Sequence, residues 1–433
     1  MSALILWVSL WLNLNTGFWN IQSPQSMDDW QLLIRAIVPY VVLPVAGLML
    51  VRSSRFHMAG KTPSTLLFVY GCFAAFSTVF SPGPTAAMYW SATFLATILA
   101  AWTFLDRRDP VRSARQLLLI TWIGTFLVAA IIARQASGAI FNTQISGYGA
   151  SIVELHGLSR SSGVARWAAV PGLVCLIRAY HSRRFFLVPV FLGLAGLAFF
   201  IVYRMQSRGA VFGSVAALLF ALLFSSRMRR YALPFALLAI VVVLLVDSPA
   251  TISDRVTTYL ERGQSQQEFL SMTGRTRAYN EGIAAFQEAP VFGYGQWADR
   301  MVIFEHVHNS YLAALMNSGI IGFIPYMASW IVGWMLFFKL QNKTAWLSPE
   351  DRISLLEAGT VMMFFTVRAI PETTTAEFSV DLLVMVAVYV YLETLTAHLK
   401  TQRQRQPVQA VSRVSFRLVE TGQPASRRAY REI

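Results

Sequence analysis

Three short segments of the chain combine arginine or histidine with small and polar residues. They read QSRGA, TGR and HNSYL, and they contain Arg208, Arg275 and His308. Arginine guanidinium groups bind phosphate oxygens through paired hydrogen bonds. A neutral imidazole can accept a proton from an attacking hydroxyl, because the ordinary pKa of histidine lies near neutral pH. These residue types predict chemistry on a diphosphate-bearing substrate, with arginines holding the anion and a histidine acting as general base.

The composition determines which elements must position these residues. The chain has 433 residues, of which 55% are hydrophobic and only 13% charged, with a net charge of +14. Soluble globular chains have about 25% charged residues, and disordered chains have low hydrophobicity. Both classes are therefore excluded. The long apolar runs also argue against a nucleic-acid-binding protein and indicate an integral membrane protein.

Twelve apolar runs are long enough to be considered as membrane-spanning helices, which need about 20 residues. The predicted fold class is therefore all-α, a polytopic membrane protein of about twelve spans. The tenth run is too long for one upright span and contains Gly319, Gly322 and Pro325, so it is expected to tilt, to kink or to begin outside the bilayer. The runs lie near residues 2–17, 33–51, 65–80, 88–105, 117–134, 165–181, 185–204, 209–225, 231–247, 310–338, 353–370 and 380–397.

Basic residues predict the side of the membrane that each connection faces, because Lys and Arg are retained on the cytoplasmic side. One set of connections has 24 basic and 8 acidic residues, counting Glu357 and Glu393 at the ends of their spans, and the other has 12 and 14. The first set, with both termini, is predicted to be cytoplasmic. The second, with one large loop at 247–309, is predicted to be periplasmic. The first set is 51–64, 106–116, 178–185, 226–230, 339–352 and the tail; the second is 18–35, 81–87, 134–166, 204–208, 247–309 and 368–381.

Local patterns within the large loop predict further structure. Thr273-Gly274 is a plausible helix start, and Tyr279, Ile283 and Phe286 recur at the spacing of a short helix that lies on the membrane or on the bundle. Asn309-Ser310 could cap the tenth span. Residues 1–397 are predicted to form the membrane domain, and residues 398–433, with eight basic side chains, a flexible cytoplasmic tail on anionic headgroups. The two cysteines, Cys72 and Cys175, fall within spans, so neither a disulfide framework nor a Cys/His metal site is expected.

Together the segments QSRGA at 206–210, TGR…A…P.FGYG at 273–295 and HNSYL…..GIIG at 308–322 resemble the O-antigen ligase/polymerase superfamily. The superfamily includes O-antigen ligases, O-antigen polymerases of the Wzy type and related exopolysaccharide polymerases. The resemblance covers roughly residues 150–340 by motif. It implies a glycosyltransferase of the bacterial inner membrane that uses neither metal nor cofactor. Its substrates would be an undecaprenyl-diphosphate-linked glycan and an acceptor hydroxyl on lipid A–core or on another glycan, met at the periplasmic face.

The resemblance also implies roles for individual residues. Arg208 would hold the diphosphate, Arg275 would be a second diphosphate contact, and His308 would be the general base or would position the acceptor hydroxyl. Arg160, in LSRSSGVAR, resembles an arginine that often precedes Ser-Gly in the family, and Arg166 competes with it for that role. The further candidates are Arg204, Arg277 and His306. His306 lies two residues before His308, so it could be taken wrongly for the histidine of the motif. Inversion at the anomeric carbon is expected.

Each candidate also has an ordinary interpretation. Arg204 and Arg208 bracket a five-residue connection between two spans, where arginines commonly extend to the interface. Most lone histidines in loops have no chemical role. For the whole protein, the alternatives to a ligase are a polymerase of the same family and, from another class, a twelve-span flippase or transporter for lipid-linked glycans. A transporter would need ionisable groups at mid-membrane depth, whereas the charges here map to span ends.

Overall fold

The computed structural model describes residues 2–14, 30–53, 62–106, 108–135, 161–232, 234, 249–261 and 275–420, and these residues contain helices and turns but no strand. The α-helices named below are α1 Ser2–Leu12, α2 Trp30–Arg52, α3 Pro63–Phe76, α4 Pro84–Thr103, α5 Pro110–Gln135, α6 Ser161–His181, α7 Leu187–Arg204, α8 Arg208–Phe224, α9 Pro249–Glu261, α10 Arg275–Glu288, α11 Ala298–Val302, α12 Ser310–Gln341, α13 Pro349–Arg368 and α14 Val380–Glu420. The all-helical fold is as predicted.

Eleven of the twelve predicted spans coincide with a helix of the described residues. The ninth, at 231–247, lies almost entirely outside them. Seven of the described helices are long and apolar enough to cross a membrane, or eight if Arg208–Phe224 and Ser226–Ala232, bent by 113°, form one span. The helices α6 and α13 do not meet this test and carry charged side chains, and α1 is short. The number twelve therefore stays a prediction.

Where the structure describes them, connections of the two predicted sets lie at opposite ends of the helices. At one end, Arg115 pairs with Glu350, and His181 contacts the Ser225 hydroxyl over 3.3 Å. Contacts at the other end join residues 275–310 to residues 369–374, for example the hydrogen bond from the Ser310 amide to the Ala369 carbonyl at 3.0 Å. The helix α13, with 20 residues, runs from one end to the other, a length of about 30 Å. The polar connections thus form two separate surfaces.

Helix α14 is the most enclosed of the apolar helices. Within Val380–Gln402, 89% of the residues in an apolar 18-residue stretch are buried, against 22% for the corresponding stretch of α7. Valine, leucine and methionine occupy nearly every position from Leu382 to Leu392, so this helix packs on all sides. The helix continues to Glu420, whereas the composition of residues 398–433 predicted a flexible tail. Residues 421–433 lie outside the described part.

Helix α12 is broken at Gly319, which has φ 57° and ψ −165°. The kink is one of the alternatives that the sequence left open for this span. The loop after α10 fills the break: the Ile320 amide donates to the Pro290 carbonyl at 2.9 Å, and the Tyr294 amide donates to the Met316 carbonyl at 2.8 Å. Backbone groups that the break frees within an apolar environment thereby find partners. We call this arrangement of residues 290–295 within the break of α12 the interlock.

Glycine is required on both sides of the interlock. A Cβ atom on Gly319 would overlap the Val291 carbonyl, and one on Gly293, which has φ 69°, would overlap the Met316 carbonyl oxygen. Positive φ combined with close backbone approach leaves glycine as the residue that fits. The FGYG and GIIG motifs are therefore two halves of one structure, which fixes the position of α10 relative to α12.

Candidate functional site

Glu372 joins two of the predicted site residues. One carboxylate oxygen accepts a hydrogen bond from Nη2 of Arg275 at 2.9 Å, and the other lies 3.2 Å from Nδ1 of His308. Arg275 also donates from Nη1 to the Pro371 carbonyl at 2.6 Å. Arg275 begins α10, and His308 directly precedes the N-cap of α12. Residues 33 positions apart in the sequence therefore meet on one carboxylate, which comes from the connection between α13 and α14.

Arg208, the first residue of α8, lies beside this pair. A Cβ atom on the next residue, Gly209, would lie 3.3 Å from Pro371 and 3.8 Å from Glu372. The guanidinium groups of Arg208 and Arg275 are close enough for their like charges to repel. Two cations held near each other make a place where an anion is stabilised. The structure thus brings together Arg208, Arg275 and His308, which the sequence predicted as the central site residues.

Two further arginines extend the charged network. Arg368, at the end of α13, lies 4.0 Å from Glu372 and 3.2 Å from Asp381. Arg166 in α6 pairs with the same oxygen of Asp381 at 3.0 Å. Arg166, Arg275 and Arg368 thus share two carboxylates, Glu372 and Asp381, and Arg208 lies beside them. The described network carries more positive than negative charge, with Arg166 in its outer part.

The environment of Glu372 keeps it ionised. Burial alone would raise its pKa, but the hydrogen bond from His308 and the charges of Arg368 and Arg275 hold the pKa of Glu372 well below its ordinary value. An ionised carboxylate accepts hydrogen bonds and donates none. Nδ1 of His308 therefore carries the proton that faces Glu372, and the basic nitrogen of the neutral ring is Nε2. This is the tautomer that a general base needs.

His306 forms a parallel pair with a different carboxylate. Its Nδ1 donates to Asp299 at 2.7 Å, and its ring centroid lies 4.4 Å from that of His308. Burial lowers the pKa of His306 to about 4, although Asp299 opposes this shift. At neutral pH His306 is therefore uncharged and Asp299 is the anion. His306 lies inside the cluster as a neutral neighbour of His308 and not as an equivalent base.

Two overlapping groups of side chains bring ligand-type atoms within 4.8 Å of one another, and they comprise His306, His308 and Glu372, and Asp299, His306 and Glu377. Two of their three carboxylates, Glu372 and Asp299, already accept hydrogen bonds within the protein. Glu372 accepts from Arg275 and His308, and Asp299 accepts from His306 and from the Val307 amide. Burial and the nearby Asp299 raise the pKa of Glu377 well above its ordinary value, so it is neutral. A metal ion would have to displace these hydrogen bonds.

The backbone holds His308 and the segment before Arg208 in similar, uncommon conformations. His308 has φ 49° and Gln206 has φ 47°. Residues other than glycine rarely occupy the left-handed region, at a cost of roughly 1–3 kcal/mol each. At His308 the Tyr279 hydroxyl donates to the carbonyl oxygen at 3.2 Å, and Asn309 caps α12 by accepting from Tyr311 and Leu312. The predicted cap is confirmed, and it fixes the histidine at the helix start.

Helix α10 positions Arg275 through small residues. The sequence predicted the helix itself, but the face that packs is Ala278, Gly282 and Ala285, whereas Ile283 is 46% exposed. A Cβ atom on Gly282 would approach Val307 to 3.0 Å. Small side chains permit the close approach to α12 that large ones would prevent, and contact of the exposed Ile283 with the membrane stays a prediction.

The remaining predicted residues that the structure describes are Arg277 and Arg204. Arg277 is exposed and pairs with Glu281 one turn along α10 at 2.7 Å. Arg204 ends α7, four residues before Arg208. Arg160 lies outside the described residues, so its role stays a prediction. Of the two arginines that competed for one role, Arg166 is the one whose contacts are described.

Sequence reasoning missed the carboxylates. Glu372, Asp299 and Asp381 organise the arginines and histidines, yet none of them lies in the motifs that singled out the site. One signal was available, because acidic residues accumulate in the same set of connections as Arg208 and Arg275. Pairing each exceptional arginine with an acidic residue of the same surface would have pointed to the PETTTAE segment, which contains Glu372.

Residues 193–327 match the family model of the O-antigen ligase. No curated protein matches the chain. The matched segment contains Arg208, Arg275, His308 and the interlock, whereas Glu372 lies beyond it. Apolar helices long enough to span a membrane agree with the match. The resemblance of the three motifs is thereby confirmed: residues 193–327 are similar to the O-antigen ligase family, and the apolar helices indicate an integral membrane protein.

Proposed function

We propose that the protein is a glycosyltransferase that moves a glycan from an undecaprenyl-diphosphate carrier to an acceptor hydroxyl. The observation that carries the proposal is the position of Glu372 between Arg275 and His308, with Arg208 alongside. A cation pair suited to a diphosphate lies beside a histidine suited to proton abstraction, and one carboxylate joins Arg275 of that pair to the histidine. Transfer from a diphosphate to a hydroxyl requires both groups at the same place.

The arginines support the donor half of the reaction. Arg208 and Arg275 repel each other in the charged network, so an anion between them relieves that repulsion. A diphosphate diester carries two negative charges, and its oxygens match the planar guanidinium donors. As the bond between sugar and diphosphate breaks, negative charge grows on the leaving oxygen. Fixed arginines stabilise this charge more in the transition state than in the ground state.

His308 supports the acceptor half. Glu372 holds the Nδ1 proton, so Nε2 takes the proton of the acceptor hydroxyl as its oxygen attacks the anomeric carbon. The imidazolium that forms is stabilised by the same carboxylate. Attack opposite to the leaving diphosphate in a single displacement inverts the anomeric configuration. Arginine and histidine thus supply charge stabilisation and proton transfer, and the proposed mechanism uses neither metal nor cofactor.

The proposed location follows from the charge distribution. The surface with the candidate site belongs to the set of connections poorer in basic residues, which the positive-inside rule assigns to the periplasm. We accordingly propose the bacterial inner membrane, with the site on its periplasmic face. The donor's lipid tail would lie among the helices and its diphosphate at headgroup level.

Within this reaction class we favour a ligase that transfers the glycan to lipid A–core, since the family that matches the chain is that of the O-antigen ligase. A polymerase would use the same donor chemistry and a second lipid-linked glycan as acceptor. A flippase or transporter of lipid-linked glycans is the alternative from another class. The paired charges at one end of the bundle favour surface chemistry over such a pathway.

A deletion strain of the source bacterium distinguishes these functions through its surface polysaccharide. Loss of a ligase leaves long chains on the carrier and bare core. Loss of a polymerase leaves core capped with single repeats. Loss of a flippase leaves donor on the cytoplasmic leaflet, which contradicts the proposal. Complementation with the intact gene and with His308→Ala separates loss of chemistry from loss of the protein.

A further inference from the structure

A polar cavity of about 460 Å³ lies at the end of the bundle away from the candidate site. It is bounded by the turn after α6, the bend between α8 and Ser226–Ala232, the end of α12 and the start of α13. Its ionisable lining residues are His181, Arg183, Arg227 and Arg352, and none of its lining residues is acidic. We call it the basal cavity.

A neighbouring cavity differs from the basal cavity in having acidic as well as basic lining residues. That cavity, of about 280 Å³, is lined by Arg115 and Arg178 but also by Glu350 and Glu357. Arg178 pairs with Glu357 at 2.7 Å, and Arg115 pairs with Glu350. Its cations are therefore neutralised by carboxylates within the same lining. The basal cavity has the cations without such carboxylates, so its charge favours an anionic ligand.

One of the three arginines of the basal cavity is fixed in place by backbone carbonyls. Arg352 donates from Nε to the Leu347 carbonyl at 3.1 Å and from Nη2 to the Ala345 carbonyl at 3.2 Å. These bonds orient the guanidinium without cancelling its charge. Arg183 and Arg227 are exposed and approach the cavity from two other elements. Three converging cations suit a phosphate group.

Exposed aromatic side chains place the basal cavity at the level of lipid headgroups. Phe185 and Phe186, beside Arg183, are 89% and 64% exposed, and Trp346, beside the carbonyl that holds Arg352, is 66% exposed. Large aromatic residues at the ends of spanning helices are typical of the membrane–water interface. Basic pockets between helices at that level bind anionic lipid headgroups.

The surface of α8 next to the basal cavity offers a path for an acyl chain. Phe212, Val215, Leu219 and Leu223 are each at least half exposed and recur at helical spacing along one face. Phe224, one residue further, lines the cavity. The apolar face thus begins where the cationic lining ends. A ligand that carries a phosphate and an attached hydrocarbon chain fits a cationic cavity next to an apolar face better than a soluble phosphate does.

We infer that the basal cavity binds the phosphate of an anionic phospholipid, with Arg183, Arg227 and Arg352 as its contacts and an acyl chain along the exposed face of α8. The inference does not depend on the proposed transfer reaction. Because the cavity contains no residue of the candidate active site, the lipid is a structural or regulatory ligand and not the donor.

The test uses the full chain, purified and placed in nanodiscs of phosphatidylcholine with a minor fraction of phosphatidylglycerol, and measures bound phosphatidylglycerol by native mass spectrometry. The variant Arg183→Gln/Arg227→Gln is compared with Arg184→Gln/Arg230→Gln. The second pair removes two exposed arginines from the same turn and the same short helix, but these do not line the cavity. Both variants lose the same charge.

We expect the cavity variant to bind phosphatidylglycerol about thirty-fold more weakly, since each basic residue near an anionic membrane surface contributes roughly fivefold. The control variant should stay within about twofold of the intact protein. Equal losses in both variants would indicate general surface charge and overturn the inference. Competition by millimolar inorganic phosphate would identify a soluble anion and also overturn it. If the double variant does not fold, Arg227→Gln against Arg230→Gln gives the same comparison.

Discussion

The Nδ1 atom of His308 lies 3.2 Å from a carboxylate oxygen of Glu372, which follows it in the chain by 64 positions. The other oxygen of the same carboxylate accepts from Arg275. One acidic side chain therefore sets the tautomer of His308, the proposed base, and also orients the guanidinium of Arg275, which is proposed to bind the diphosphate. Its removal should affect proton transfer and anion binding together.

His308→Ala should lower glycan transfer by about 10²–10⁴-fold, the usual contribution of a general base. Because the ring is 15% exposed and lies 4.4 Å from that of His306, transfer is compared at equal abundance of the inserted protein. Transfer is measured in a deletion strain by the fraction of polysaccharide joined to its acceptor, with protein quantified by immunoblot. A normal product profile from this variant would remove His308 from the mechanism.

Arg208→Lys and Arg275→Lys should each fail to restore transfer, with losses of about 10²-fold or more, because an ammonium group cannot form the paired hydrogen bonds of a guanidinium. The matched control is Arg277→Lys, since Arg277 lies on the same helix two residues after Arg275 but is exposed and paired with Glu281. Equal effects at Arg275 and Arg277 would contradict the assignment.

Acidification should destabilise the protein in two steps. The folded-state pKa of His306 is about 4, below the ordinary value of about 6.5. The unfolded chain therefore binds more protons between these values, and stability falls as pH drops from about 6.5 to 4. The pKa of Glu372 is also lowered, from an ordinary value of about 4.3. Its contribution is complete above that value and is lost as pH falls below it.

Thermal unfolding of the purified protein in detergent, followed from pH 7 to pH 3.5, separates the two steps. His306→Gln should flatten the first, and Glu372→Gln should reduce stability at neutral pH and flatten the second. A Glu372→Gln variant with the same pH profile as the intact protein below pH 4.5 would show that Glu372 is not ionised in the way its neighbours indicate.

Gly319→Ala should destabilise the protein by about 3 kcal/mol or more, because the added methyl group meets the Val291 carbonyl and the backbone has φ 57°. The control is Gly196→Ala in α7, where an added Cβ has nothing within 4 Å and helix propensity slightly favours alanine. Thermal unfolding of the two variants is compared with that of the intact protein, and only Gly319→Ala should lower the unfolding temperature. Similar values would mean that the interlock adjusts to the methyl group.

Transfer by purified protein should be unchanged after EDTA treatment and dialysis, because hydrogen bonds from arginine, histidine and a backbone amide already occupy Glu372 and Asp299. Addition of Mg²⁺ or Mn²⁺ should not raise the rate. A rate that falls on chelation and returns with one divalent ion would assign a metal to the cluster of His306 and its neighbouring carboxylates.

The sequence anticipated those parts of the protein that depend on local pattern. Helix α10, the cap at Asn309 and the break in α12 each follow from residues next to one another in the chain. Hydrophobic runs likewise located eleven helices, because burial in a bilayer or a bundle requires continuous apolar stretches. The three motifs gave Arg208, Arg275 and His308, whose residue types carry their chemistry with them.

Long-range pairing could not be predicted in the same way. Glu372 contacts α10 and the start of α12 only because α13 returns to the same end of the bundle, and no local pattern encodes that meeting. The packing face of α10 was not anticipated either, since periodicity identifies apolar residues and not the small residues that allow close packing. The interlock joins two glycine motifs whose contact depends on the tertiary fold.

The interlock also limits how the two motif-bearing segments can change. Gly293 lies against the backbone at Met316, and Gly319 lies against the backbone at Val291. Neither segment can therefore shift by one residue without a matching shift in the other. Arg275 and His308 are attached to opposite sides of this junction. Their separation is therefore set by interdigitated main chain together with the packing of α10 on α12, and residues elsewhere in the bundle can change while that spacing stays constant.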